Sequence, residues 1–441
     1  MAQRASVIQE TGQGRKRTRW STVGVVFMFG LVGNMGGLTI GIITPKLIDN
    51  LHISVTEIGN ISTATGFLGI AVALLAGWAA TKWGARIVGG IAMLLGSVMN
   101  LVLPVSTGYG SFFANRVVFS ITSGIAPTTP IGNAELGATV APKQRATTAA
   151  IFNFTFPIAV FILTLAGTLV VAGSSWRTWL WILGGCGVLV GIAWLILARG
   201  KAYKPAAEVV QTDGIARPAG ISWREAFTSR TIIGTGLAWG LSSWSFIFLV
   251  QFLPLYFIDD RHSQYVGAGI DSVWPWVGGI VGGFAVGIIS DRLLSRTRNY
   301  RVSRTYLAAG SEVMFAILLA AAALSSSLPV VLVLLGVAEF FNEIAASIFQ
   351  VISIDTMGDR SAHGTGALFL ITNIFNGFSP WVTSHLFARG LYTTAFLLAA
   401  LTPLIGAVVL MLLVYPGELR PWGRNGRTQG LTAAGHDGLR S

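Results

Sequence analysis

Ile151-Phe-Asn-Phe-Thr-Phe-Pro157 returns 223 positions later as Ile374-Phe-Asn-Gly-Phe-Ser-Pro380, with Ile, Phe, Asn and Pro in register. A second echo accompanies it: Gly77-x-x-x-Thr81-Lys82-x-x-x-Arg86 precedes Gly287-x-x-x-Asp291-Arg292-x-x-x-Arg296 by 210 positions, each time between two apolar runs. The chain therefore carries a duplicated half. Because the offsets differ by 13, the second half holds an insertion. In a membrane chain, parallel repeats of six helices are one route to two bundles that rock about a central site. Transport is the first expectation.

Of 441 residues, 53% are hydrophobic and 11% charged, against about 25% charged in a soluble domain. Mean hydropathy is +0.67. An all-α, multi-pass membrane protein is expected, with the lipid bilayer as its surroundings. Runs of about 20 apolar residues bounded by charges or turn formers predict helices over 22–46, 56–80, 86–104, 110–138, 147–172 and 177–198. The second set falls at 231–257, 266–289, 305–324, 329–354, 365–388 and 392–415. Twelve transmembrane helices in two six-helix bundles follow, at 22–198 and 231–415, related by a parallel repeat. A basic tail at 1–21, a linker at 199–230 and a tail at 416–441 complete the division.

The net charge of +12 raises nucleic acid as a partner, so the placement of the cations decides. With the N-terminus inside the cell, 25 of the 30 Lys and Arg fall in cytoplasmic segments, leaving Lys46, Arg116, Arg177, Arg261 and Arg389. That is the positive-inside signal of a cytoplasmic (inner) membrane protein with both termini in the cytoplasm. No basic segment is interleaved with aromatics on a foldable soluble module, so no nucleic-acid partner is expected. The apolar stretch after the basic tail is too long for a signal peptide and reads as the first helix. Cys186, the one cysteine, falls inside the sixth helix and reads as a small packing residue. The Gly- and Arg-rich stretch from Pro416 is expected to be disordered.

The segments Gly77 to Arg86 and Gly287 to Arg296 resemble the cytoplasmic loop signature of the major facilitator superfamily, G-x-x-x-D-R-x-G-R-R. The resemblance implies that superfamily's fold, a monomer, and a latch on the cytoplasmic gate. In such a latch the glycine lets two helices approach, while the carboxylate meets a helix N-terminus and the arginines. The second copy is intact at Gly287, Asp291 and Arg292, whereas the first has Thr81 where the family has Asp, so its latch is weakened or replaced by a hydroxyl cap. A plain positive-inside turn is the alternative.

Arg116, followed by Ser120, Gly124, Pro127 and Pro130 and then Ala141-Pro-Lys-Gln-Arg145, resembles helix 4 of the organic anion and cation symporter branch, which includes sialin-like and sugar-acid carriers. Trp176-Arg177-Thr-Trp179 and Trp223-Arg224-Glu-Ala-Phe227 fit the same branch. The resemblance implies uptake of a small organic anion together with a proton or other cation. Two positions depart from it. Many relatives carry an Asp-Arg pair in helix 1 where this chain has Gly36-Gly37, and a helix 4 glutamate where it has Ser123. The branch's usual proton acceptors are therefore missing.

Arg116 lies well inside its predicted helix, where a guanidinium costs roughly 2.5–3.5 kcal/mol on insertion scales and should face the cavity or a partner. It offers a planar fork for a substrate carboxylate. Equally, it could brace neighbouring helices through their carbonyls. In the tenth helix Glu339 and Glu343 share one face with Asn342 beside them. Two anions there repel at low dielectric, so at least one is expected to hold a proton near neutral pH. The alternative role is a polar brace to the eleventh helix, which carries Asn373 and Asn376. Glu312 and Asp271 are weaker candidates, each expected nearer a helix end and hydrated.

Asn153 and Asn376 stand four residues before Pro157 and Pro380. They either reach substrate, as the superfamily's geometry implies for these helices, or repair carbonyls freed by the prolines. Trp244, flanked by Ser242, Ser243 and Ser245, is the best candidate for a cavity wall, against the commoner packing role of deep aromatics such as Trp239, Trp274 and Trp276. No H-E-x-x-H, Walker loop, G-x-S-x-G or Cys/His cluster occurs, so no enzyme, metal site or cofactor is expected. The whole reads as a secondary active transporter for a small carboxylate, working by alternating access. A facilitated uniporter, an exporter of an amphiphilic compound and a non-transporting sensor are the alternatives.

Overall fold

The computed structural model describes residues 19–123, 131–132, 135–136, 139–140, 148, 152, 154–199, 223–357 and 361–416, almost entirely helix. The helices of the first half are α1 Trp20–Leu51, α2 Val55–Trp83, α3 Ala85–Val105, α4 Tyr109–Ser123, α5 Thr155–Gly173 and α6 Trp176–Leu197. Those of the second are α7 Arg230–Asp259, α8 Tyr265–Thr297, α9 Arg301–Leu324, α10 Leu328–Met357, α11 Ser361–Phe387 and α12 Tyr392–Leu413. Among the described residues nine are long and apolar enough to cross a membrane; α2, α4 and α11 fall outside that set, and a short helix, Trp223–Thr228, precedes α7. Each predicted run meets one helix. Asn153, most of the predicted fourth helix beyond Ser123, residues 200–222 of the linker and the tail beyond Pro416 lie outside the described residues.

The second signature segment is helical throughout, and the first is interrupted at Gly84, whose φ of 91° separates α2 from α3. Asp291 and Arg292 lie in the last turns of α8, which runs on to Thr297 and ends on Arg298 in the left-handed conformation at φ 51°. Its N–H donates to the Leu294 carbonyl at 2.8 Å, closing the helix. Thr81 likewise lies within α2. The helix continues because no Gly or Pro follows Gly287 before Thr297, and short polar side chains do not by themselves stop it.

By contact the chain divides into two compact units: Met1–Thr39, Ala71–Val160 and Ser174–Pro205; and Ile40–Ile70, Phe161–Gly173 and Ala206–Ser441. In the first, α6 packs on α3 and on the opening segment of α1. Fully buried Trp194 stacks on Phe29 with ring centroids 4.1 Å apart, and its indole N–H donates to the Arg86 carbonyl at 3.0 Å, satisfying the one polar atom the ring brings inside. Trp179 donates to Thr39 Oγ1 at 2.8 Å, at the turn that interrupts α1.

In the second unit α7 packs with α11 and α12, while α10 lies between α8 and α9. The second segment of α1 packs on α7, and the end of α5 on α8. The first half of α2 meets α11, with Phe67 edge-on to Phe378 at 4.9 Å between centroids. The approach of α8 to α10 is closest at Gly278, where any Cβ would overlap the Gly336 carbonyl. Small residues at such crossings let backbones pack directly in lipid. Gly278→Leu is therefore expected to cost about 1–3 kcal/mol of stability or more by overpacking. Thermal unfolding in detergent should show it, with Gly267→Leu, whose side chain would enter open space, unchanged.

Candidate functional site

Arg116 lies two turns into α4 and is 2% exposed. One terminal nitrogen donates to the Gly36 carbonyl at 3.4 Å and the other to Gly37 at 3.3 Å, while the guanidinium carbon sits 4.3 Å from the centre of the Phe119 ring. Nε has no hydrogen-bond partner, and no carboxylate pairs with the group among the described residues. The fork thus rests on the backbone of two adjacent glycines. Beside it is a small cavity lined in part by Val32, Gly36, Ser97, Asn100 and Phe119. Asn34 and Asn100, both buried, each leave the side-chain oxygen unpaired nearby.

The second unit holds the carboxylates. Glu339 is 1% exposed and accepts from Asn342 Nδ2 at 2.9 Å, and Asn342 Oδ1 accepts in turn from Ser242 of α7 at 2.9 Å. Glu343 is half-buried one turn on. Glu312 corrects the sequence expectation of a hydrated residue near a helix end: it is 0% exposed. The reason is that α9 begins at Arg301, with a π-helical stretch over Arg301–Tyr306, so Glu312 falls mid-helix among buried Ala308, Phe315 and Leu319. Apolar residues at i−4, i+3 and i+7 from Glu312 place it on the buried helix face, and that spacing was the signal available.

The other sequence candidates divide. Asn373 Nδ2 donates to the Phe369 carbonyl of its own helix at 2.7 Å, and Asn376 Oδ1 is buried without a partner. Trp244 is half-buried, and its carbonyl accepts from Ser379 at 2.8 Å. The flanking serines tie helices together: Ser242 reaches α10, and Ser245 reaches Ala399 and Thr402 of α12. Trp239 packs between Phe349 and Phe369 in the core.

Of the latch residues, Arg86 donates from Nε to the Leu195 carbonyl at 2.7 Å, pinning the start of α3 to the end of α6. Asp291 and Arg292 are exposed, and neither forms an ion pair among the described residues. An ion pair that sequence reasoning missed stands close by. Arg304, 7% exposed, meets Asp355 at 2.9 Å and also bonds Ser290, the residue before Asp291. Removing Arg304 leaves Asp355 part-buried without its charged partner, which costs about 1.5–3 kcal/mol. Arg304→Ala should lower the unfolding temperature far more than Asp291→Asn, measured in parallel in detergent.

Comparison with known proteins gives this arrangement its context. The sequence model of the Major Facilitator Superfamily matches residues 25–311. The chain belongs to that superfamily. It is 21% identical over 408 residues to a hexuronate transporter of Bacillus subtilis (strain 168), covering 90% of this chain and 95% of that protein. To a probable galactarate/D-glucarate transporter of the same organism it is 22% identical over 435 residues, covering 92% and 94%. The crystal structure of a D-xylose-proton symporter shares its fold, with a TM-score of 0.71 at 13% identity over 91% of this chain and 99% of that one. This major facilitator superfamily member is thus a multi-pass membrane transporter for a small-molecule substrate, and not an enzyme.

Proposed function

We propose that the chain imports a small organic carboxylate across the cytoplasmic membrane by alternating access, in symport with a proton, as a monomer with both termini in the cytoplasm. The observation that carries the anion is Arg116, an intramembrane charge held by two long carbonyl contacts and lacking a carboxylate partner among the described residues. A substrate carboxylate would supply the counter-charge and both acceptors of the fork. That the relatives named above carry sugar acids supports the class. The proton is assigned to α10, where Glu339 and Glu343 stand a turn apart, because the branch's acids are replaced by Gly36 and Ser123. Substrate recognition also draws on Trp244, Asn373 and Asn376, with Asn153 at the equivalent point of the first half. The latch comprises Gly77, Thr81 and Arg86 with Gly287, Asp291 and Arg292, and its asymmetry makes Asp291 the dominant member. Loss of the branch's acids favours one competing reading, a facilitated carrier.

The test is uptake of labelled hexuronate and aldarate into proteoliposomes, with and without an inward proton gradient and with a neutral sugar as control. Accumulation above equilibrium only under the gradient supports symport, and equal uptake in both conditions supports the facilitated carrier. Failure of every carboxylate to enter or compete would sink the anion reading.

A further inference from the structure

We propose that Glu312 of α9 and Glu339 of α10 form one site that holds a single exchangeable proton between them, with Ser242 and Asn342 as its positioning residues. The inference rests on the proton-coupled reading and deepens it, making Glu312 rather than Glu343 the partner of Glu339.

The two side chains come from adjacent packed helices and are 0% and 1% exposed. Their unsatisfied atoms point to a ligand. Both oxygens of Glu312 and Oε1 of Glu339 lack a hydrogen-bond partner among the described residues, while Oε2 of Glu339 is held by Asn342. Two carboxylates left in this state would be two uncompensated charges with three unfilled acceptors. One proton removes one charge and turns one of these acceptor oxygens into a donor. Asn342 and Ser242 then fix the geometry from α10 and α7, so a shift of α7 against α10 alters the pair.

Among the described residues no neighbouring cation takes the proton's place. Along α9 the nearest is Arg304, eight residues or about 12 Å down the axis, already engaged by Asp355. Arg301 lies further off, over the Tyr415 ring. Between Arg230 and Asp259, α7 carries no charged residue. The remaining groups on the packed elements are Tyr256 of α7, Tyr265, Asp271, Asp291, Arg292 and Arg296 of α8, Tyr306 of α9, Glu343 and Asp355 of α10, His363 and His385 of α11, and Tyr392 of α12. A metal ion fits less well, because among the described residues no three His, Cys, Asp or Glu converge as ligands.

The experiment uses the full-length protein in lipid and infrared spectroscopy of the protonated-carboxyl C=O stretch, read without substrate or gradient. In Glu312→Gln and Glu339→Gln the amide supplies donors that satisfy the remaining carboxylate, so the band should disappear, whereas Glu343→Gln should keep it. Survival in either of the first two, or loss in the third, overturns the pair. Ser242→Ala leaves both carboxyls in place and should shift the band. Should a glutamine variant not fold, an unmoved band in Ser242→Ala overturns the proposal. A parallel uptake assay separates the two claims: absence of gradient-driven accumulation in the unmutated protein sinks the coupled reading, while the band alone decides the pair.

Discussion

Arg116→Lys should leave the protein folded and lower carboxylate uptake about ten- to a hundredfold. Lysine keeps the charge but loses the planar fork, and with it one charge-assisted hydrogen bond worth about 1.5–3 kcal/mol. At about 1.4 kcal/mol per tenfold change, that loss sets the range. The existing contacts make the substitution informative, because an ammonium reaches at most one of the Gly36 and Gly37 carbonyls comfortably. Initial uptake rates and apparent substrate affinity are the measurement. A lysine variant with unchanged affinity and rate would show that the fork braces α1 and touches no substrate.

Glu339→Gln should abolish accumulation driven by a proton gradient while leaving exchange of substrate down its own gradient. The amide is nearly isosteric and can keep the bond to Asn342 after a flip, so the fold survives and only the titrating group is lost. Counterflow and pH-jump uptake in one proteoliposome preparation separate the two activities. If Glu339→Gln and Glu343→Gln both still concentrate substrate, the proton is not on α10, and Glu312 or Asp271 is the next group to test.

The helices were legible because lipid demands long apolar runs, and each predicted run meets one. Pro157 and Pro380 of the sequence repeat both lie within helices, α5 and α11. The sites were read less well, for separable reasons. Glu312 was misplaced because the start of α9 was set at residue 305, beyond two arginines that read as loop but belong to the helix. Arg304 was counted into the positive-inside excess, and nothing in its spacing announces Asp355 as a partner 51 positions away. Arg116 was found as a misplaced charge, but its contacts on Gly36 and Gly37 depend on tertiary approach, which hydropathy does not record.

Duplication in sequence and cohesion in space follow different boundaries in this chain. The arm of α1 after Thr39, the opening of α2 and the close of α5 all belong with the second set of helices, and Gly41 lets the first of them lie against the backbone of Val250 and Gln251. Residues 1–198 expressed alone would therefore be an amputee: Ile42, Ile43 and Leu47, each at most 3% exposed in the whole chain, would lose the α7 side of their cover. Splitting the gene at the linker should yield fragments that are soluble in detergent and functional only when made together, each serving as the other's chaperone.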